Sequence, residues 1–494
     1  MIFNFLLLVS SIICSVHPLN RVVVSTGTRD VVSMWQLDPH EKTLPHLDDI
    51  RRQIYDTLYE IDDRGSTKES LVDNCSIPTY DEDIENNVKI IIDCSLKHNV
   101  FFHDGIELTA KDVEYSINRL KRSKTQSSSF DIMESCVAKN KYELVFTLKY
   151  KTPDVMSSKE WLYERFKRIL ATVGYITRAR YMEGNLNWAI EYPVGTGPFY
   201  FEDWKIWDKT NGRSQIVLSK NKSYWKKTYP RIDQLIFRFL PSDMWMSEFK
   251  QENLSLVLRP TVKDYQLFYA QNKGRGIAGI SKRLRYSYQY LLFNPSSTIM
   301  GSKELQRILL RSISREKLSK SLGSTVMVNS GRALYSSCVF PEKFPVLKYQ
   351  PRTANDALLN YLDERGENGN LKISILVPDR AEELLVVEEL RRQLYTVGFT
   401  LKIKKMSSEN YNIAVNNNYF SGYDLILYSV EENPNYLTPK GREILDYGGM
   451  QLYQRMLAYI LSRPDIENTS KPFSVSLSRF TPPAEGAVRF FDAE

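Results

Sequence analysis

The chain has 494 residues, 42% of them hydrophobic and 25% charged, with a net charge of +7. This is ordinary globular composition, with length for about two to four domains. The positive charge is spread along the chain without a long basic run, which argues against the concentrated Lys/Arg face of a nucleic-acid groove.

At the N-terminus, Ile2 to Val16 form an apolar run of about 15 residues, too short to span a bilayer comfortably. It reads as the core of a signal peptide covering residues 1–15, with small Ser15 at the cut. No Lys or Arg precedes it. Cys14 offers a lipid acceptor, although Ile13 is larger than the residue that normally stands before one. Four cysteines remain after export: Cys75, Cys94, Cys136 and Cys338. None stands in CxxC spacing, so a zinc site is not expected. One disulfide among Cys75, Cys94 and Cys136 fits an oxidising compartment, and so do buried free thiols.

The elements then alternate. Arg21 to Gly27 (RVVVSTG) is an opening strand, and Ile50 to Asp62 has helical spacing of apolar residues. Val88 to Leu96 and Tyr142 to Tyr150 are strands rich in β-branched and aromatic residues. Between them Asp104-Gly105 makes a turn, and Thr109 starts a helix with Asp112 reaching back as a capping box. Val113, Ile117 and Leu120 line one face of that helix. Gln215 to Asn221, Gln234 to Leu240 and Tyr286 to Asn294 read as strands, followed by a helix near Lys303 to Leu310. Leu371 to Asp379 is a strand, and the helix Ala381 to Tyr395 ends before Gly398. Glu364 to Asn370 is a surface loop. Thr400 to Met406 and Tyr423 to Val430 are two more strands. This order predicts α/β lobes with mixed sheets.

Chemistry-bearing motifs are sparse. The five His stand in no metal-ligand spacing, and GxSxG, Walker A and GxGxxG sequences are missing. Val194 to Phe199 (VGTGPF) runs on into a strand, so it reads as a tight turn, not a phosphate cradle. His103-Asp104 reads as a turn Asp beside a His. Glu431 and Glu432 are neighbours on an extended segment and point to opposite faces, so they do not share a proton. No catalytic constellation and no cofactor is expected.

Phe101 to Leu120, FFHDGIELTAKDVEYSINRL, resembles the signature of the family 5 extracellular solute-binding proteins, the oligopeptide, dipeptide and nickel receptors of ABC importers. Leu37-Asp38-Pro39, Gln53 to Leu58 (QIYDTL), the GTGP turn at Gly195 to Pro198 with Trp204 after it, and Asn221 to Trp225 (NKSYW) are similar to further landmarks in the family order. So are Leu291 to Asn294 with a helix over Arg307 to Leu318, and Gly422 to Tyr428. The likeness covers about residues 21 to 494.

The resemblance implies a periplasmic-binding-protein type II-like α/β fold: two lobes with mixed sheets joined by a hinge, plus an extra smaller domain. Lobe I would comprise residues 16–55, 180–270 and 445–494, the extra domain 56–179, and lobe II 271–444. A peptide or other small polar ligand would be enclosed between the lobes and passed to an ABC-importer permease in the membrane. The receptor would be monomeric and periplasmic or otherwise extracytoplasmic, attached to the membrane if Cys14 is lipidated, and would bind no nucleic acid. Ser33, Met34 and Trp35 precede the LDP landmark where members line the cleft, and Phe130 falls where an aromatic contacts ligand. Tyr428, Ser429, Val430, Glu431, Glu432 and Asn433 follow the cleft-directed strand. In peptide-binding members a Trp and then an Asp stand in this stretch, the Asp pairing with the ligand's α-amino group. Val430 occupies the Trp position here and Asn433 the Asp position, which leaves the charge to Glu431 or Glu432. The usual shape of the chain's end is shortened, with the helical stretch at Gln451 to Ser462 and a closing strand at Ser470 to Phe480. A non-transporting ligand sensor of the same fold remains an alternative; a peptide hydrolase would need a nucleophile and base that the sequence lacks.

Overall fold

A computed structural model describes residues 20–25, 37–41, 45–62, 66–76, 79–82, 87–123, 127–151, 159–208, 213–227, 230, 232–251, 253–258, 260, 262–272, 278–322, 326–327, 347–416, 419–430 and 449–462. The chain opens with β1 (Arg21–Ser25) and α1 (Pro45–Ile54). A smaller unit follows: β2 (Tyr59–Ile61), β3 (Thr67–Glu69), β4 (Val72–Cys75), β5 (Thr79–Glu82), β6 (Asn87–Leu96), α2 (Ala110–Arg122), β7 (Met133–Ala138), β8 (Glu143–Lys151) and α3 (Lys159–Thr172). Next come α4 (Ala179–Gly184), α5 (Leu186–Glu191), β9 (Phe199–Asp208), β10 (Arg213–Lys220), β11 (Gln234–Phe239), α6 (Trp245–Lys250), β12 (Leu256–Leu258) and α7 (Val262–Asn272). The last part holds β13 (Ala278–Phe293), α8 (Lys303–Arg311), α9 (Arg315–Ser321), β14 (Val326–Met327), α10 (Pro351–Asp363), β15 (Leu371–Pro378), α11 (Ala381–Tyr395), β16 (Phe399–Met406), α12 (Ser408–Asn416), β17 (Leu425–Val430) and β18 (Gly449–Ser462).

Among the described residues, one mixed sheet of 11 strands runs β16-β15-β17-β13-β18-β12-β1-β11-β10-β9, with β14 beside β18. Its two ends are the sheets of two lobes. β1 shows why its strands form. Val22 and Val24 enter the core on one face of lobe I with Leu47, Ile50 and Ile54, while Val23 enters the opposite core with Trp245 and Phe249. A β-branched strand buried on both faces is what a central parallel position requires. Lobe II repeats the pattern: Leu291 and Phe293 pack under α8 to α11, and Tyr288, Tyr290 and Leu292 pack with Tyr411 and Val415 of α12. The smaller unit has its own core, drawn from Leu58 to Ile176 around β6, β8, α2 and α3.

The long strands β13 and β18 are antiparallel from Ala278↔Ser462 to Leu292↔Gly449 and belong to both lobes. Their lobe I half adjoins β12 and their lobe II half adjoins β17. Between Leu284↔Met456 and Tyr288↔Gln454 the register slips, four residues of β13 passing two of β18. Such a bulge bends and twists a strand locally, and it lies where one lobe gives way to the other.

Three sequence expectations are corrected. The helix expected over Ile50 to Asp62 ends at Ile54, and Tyr59–Ile61 form β2 instead. The Ile54 carbonyl accepts from the Gly197 amide at 2.9 Å, so the chain leaves the helix to meet the GTGP turn. The helical stretch expected at Gln451 to Ser462 lies within strand β18. Pairing with β13 on one side and with β12 and β14 on the other overrides the local preference of QLYQRMLAYILS. The helix expected over Arg307 to Leu318 is split into α8 and α9, with Ser314 capping the second. Ser470 to Phe480 lie outside the described residues.

The disulfide question resolves as one bond. Cys75 and Cys94 are register partners of β4 and β6 and are joined, and Cys136 is a buried free thiol. Replacing both bonded cysteines by Ser should lower stability by about 3 kcal/mol, read by urea unfolding, and added reductant should then have no further effect.

Candidate binding site

The pairings fix which strand ends face the junction between the lobes. β12 runs antiparallel to β18 and ends at Leu258, opposite Tyr459; β1 and β11 run parallel to β12. β17 runs antiparallel to β13 and ends at Val430, opposite Tyr288, and β15 is parallel to β17. The carboxyl ends of the parallel strands in both lobes therefore point toward the middle of the crossing strands from opposite ends, those of lobe I stopping near the Ser281↔Tyr459 pair and those of lobe II at Tyr288, on either side of the bulge. In open α/β sheets the ligand crevice lies at such ends.

Tyr428, Ser429 and Val430 are brought to that junction. Tyr428 is half-buried, opposite Tyr290, and packs against the cluster that holds Tyr288 and Tyr411. The Ser429 hydroxyl donates to Gln289 Oε1 at 2.9 Å. Below them Asp424 pins the strand. Its carboxylate accepts from the Ser297 hydroxyl at 2.6 Å and from the Ser374 amide at 2.7 Å. Ser33, Met34, Trp35, Glu431, Glu432 and Asn433 lie outside the described residues. Phe130 is only 2% exposed and sits in the core of the smaller unit, so packing accounts for it.

The stretch Phe101 to Leu120 acts elsewhere, docking the smaller unit onto lobe I. The Gly195 amide donates to His103 Nδ1 at 3.3 Å, so the ring's proton is on Nε2, which donates to the Gly197 carbonyl at 3.0 Å. Asp104 pairs with Arg178. Asp112 closes its cap by accepting from the Thr109 amide at 2.9 Å, and its other oxygen accepts from the Ala179 amide. Ser116 accepts from the Thr177 amide. Arg119 forks onto Asp38 at 2.6 and 2.7 Å and donates to His40 Nδ1 at 2.8 Å. His40 Nε2 therefore carries the proton and donates to the Tyr175 carbonyl at 3.0 Å. Asp112, Ser116 and Arg119 are four and three residues apart, one polar stripe beside the apolar stripe Val113, Ile117, Leu120. That spacing was a visible signal, and reading only the apolar stripe missed it.

Three more landmarks converge on one carboxylate. Asp56, fully buried, accepts from the Thr196 hydroxyl at 3.1 Å, the Tyr224 hydroxyl at 3.2 Å and Trp225 Nε1 at 3.0 Å. The GTGP turn must lie against the end of α1 to make this hub. A Cβ on Gly195 would stand 2.0 Å from the Ile54 carbonyl oxygen, and one on Gly197 2.5 Å from that of Gln53. Only glycine permits so close an approach.

Burial lowers the His40 pKa to about 3, and the Arg119 charge adds to this against the opposing pull of Asp38. Burial likewise lowers His103 to about 4, opposed by its bond to the Gly197 carbonyl. Burial alone would raise Asp38, but the bond and charge of Arg119 outweigh it and hold its carboxyl below the usual range. Among the described residues no three His, Cys, Asp or Glu side chains gather as a metal site, and no helix is long and apolar enough to cross a membrane.

Residues 85–440 match the model of the bacterial extracellular solute-binding proteins, family 5. The chain belongs to this family. It is 28% identical over 312 residues to the oligopeptide-binding protein AppA of Bacillus subtilis, covering 61% of this chain and 52% of AppA. It is 23% identical over 358 residues to the nickel-binding protein NikA of Staphylococcus aureus, covering 71% and 63%. The chain thus spans between about half and two thirds of these relatives by sequence. In structure it superposes on AppA of B. subtilis in complex with a nonapeptide with a TM-score of 0.58 at 18% identity, covering 92% of this chain and 97% of that one. It superposes on HbpA2 of Haemophilus parasuis with a TM-score of 0.66 at 15% identity, covering 90% and 96%. The fold is accordingly that of the type II periplasmic binding proteins, and the family is one of substrate-binding proteins.

Two substitutions test how the family 5 landmarks hold together. Asp56→Ala leaves three buried donors without their acceptor and should destabilise by about 3 kcal/mol, seen as a lower urea midpoint. Gly195→Ala drives a methyl into backbone and should cost about as much, whereas Gly366→Ala, where a Cβ would meet open space, should cost less despite its positive φ.

Proposed function

We propose that this chain is the exported capture protein of an ABC importer, enclosing oligopeptides or similar polar solutes between its lobes. The observation that carries this reading is that strand ends of both lobes point toward the bulge in β13 from its two sides. A small guest at that level touches lobe I through the segment after β1 and lobe II through the end of β17. Closure is favoured only to the extent that the guest contacts both lobes in the closed state.

Extended peptides are held chiefly through their backbone, as an added strand. Side chains then rest in wet pockets, where water adapts the fit. Ser33, Met34 and Trp35 face the guest from lobe I in this reading, and Tyr428, Ser429 and Val430 from lobe II. The ligand's ammonium finds its counter-charge in Glu431 or Glu432, since Asn433 supplies none. AppA's name as an oligopeptide-binding protein supports the ligand class. The segment Ile2 to Val16 directs export, Cys14 is the point of any lipid attachment, and the receptor acts as a monomer without chemical turnover.

Native mass spectrometry of the purified mature protein tests the reading. Co-purified peptides, and compaction in small-angle scattering when peptides are restored to stripped protein, are expected. A stripped protein that neither binds nor compacts with di- to nonapeptides overturns it. Replacing Glu431 and Glu432 together by Gln should weaken a peptide with a free amino terminus by about 2 kcal/mol, roughly 30-fold in Kd. The same peptide, N-acetylated, should bind both proteins alike.

A further inference from the structure

The joint between the smaller unit and lobe I rests on two neutral histidines whose Nδ1 atoms are both committed as acceptors. At His40 the donor is the Arg119 guanidinium at 2.8 Å. A guanidinium has no acceptor, so the assignment of roles is forced. Protonating Nδ1 would set an imidazolium against Arg119 and remove the acceptor at once. At His103 the donor is the Gly195 amide, and a proton on Nδ1 would turn that bond into a contact between two donors. His40 is fully buried, so its ring gains charge only when the joint opens; His103 is half-buried, and a proton on its Nδ1 costs it the bond from the Gly195 amide.

We propose that this joint is a proton-sensitive clasp: protonation of His40 and His103 releases the smaller unit from lobe I while the main sheet stays folded.

The charged groups around each ring decide the direction. His40 faces Arg119 from α2, Asp38 from its own segment and Arg51 from α1; one step further out, Glu41 acts on Arg119, and Asp48 and Arg52 of α1 contact the Tyr175 side chain. Asp38 opposes the cations, but it is already engaged by both guanidinium nitrogens of Arg119. His103 faces Asp56 and Asp104, and Asp104 is paired with Arg178. The released state regains ordinary histidines with pKa near 6.5, whereas the docked state resists protonation down to about 4 at His103 and about 3 at His40. The docked state therefore binds fewer protons in this window. Its advantage is complete above pH 6.5 and falls as the pH drops, with about a tenfold change in the opening equilibrium per pH unit for each histidine. Lobe II has no such joint among the described residues, so opening is local.

Hydrogen exchange of the full chain between pH 7 and pH 4.5, corrected for intrinsic rates, tests this. Protection of Ala110–Arg122 and of residues 175–198 should fall by up to about 100-fold per pH unit, with the strands of lobe II unchanged. His40→Asn keeps an oxygen that accepts from Arg119, and His103→Asn one that accepts from Gly195. Each should reduce the dependence to about tenfold per unit. If H40N does not fold at pH 8, H103N against the native chain decides. Unaltered pH dependence in the folded variants, or loss of protection in lobe II in parallel with α2, overturns the proposal.

Discussion

Two long antiparallel strands, β13 and β18, run from one lobe into the other and pair along nearly their whole length. Every other strand of the main sheet is added to one side or the other of this pair. The constraint is directional. Once β13 and β18 are antiparallel and shared, β12 and β17 must approach the middle from opposite ends, and the parallel strands beside them follow. A crevice flanked by carboxyl ends is the geometric result, before any side chain in it is considered. Two breaks in register, between Leu284 and Tyr288 and between Gln289 and Tyr290, fall in this middle stretch, so the stretch in which the sheet can bend and the place where a guest would lie coincide.

The smaller unit depends on a different physics. It adds no strand to the main sheet among the described residues and is held by polar bonds made in burial: Arg119 on Asp38 and His40, His103 on the GTGP turn, and the three donors on Asp56. In a low-dielectric joint such bonds are strong when all are satisfied and costly when one partner changes state. This explains why a stretch with so regular a local pattern carries no reaction. Its polar residues are spent on docking, and its apolar residues on the core of its own unit.

Much of this was legible in the residues. The strands at β1, β6, β8, β10, β11, β15 and β16 announce themselves by β-branched and aromatic runs, and α11 by its span and the Gly398 that follows at φ +104°. The turn at Gly105, with φ +81°, and the cap of α2 were readable as local chemistry. The failures came where non-local contact outweighs local preference. QLYQRMLAYILS has an apolar spacing that suits a helix, and only its three strand partners make it β18. Tyr59–Ile61 likewise continues a helical pattern until the GTGP turn takes the end of α1.

Family, fold class and the absence of familiar catalytic spacing were contained in the sequence, because glycine turns, caps and strand patterns are determined by neighbours a few residues away. The sequence could not say what His40, Asp56 and Arg119 do. Their partners lie from 79 to 169 residues distant along the chain, and a hydrogen bond across such a separation exists only after the lobes and the smaller unit have been packed together. The same holds for the tautomers of His40 and His103. A lone histidine is free to place its proton on either nitrogen; a guanidinium on one side and a carbonyl on the other leave a single choice.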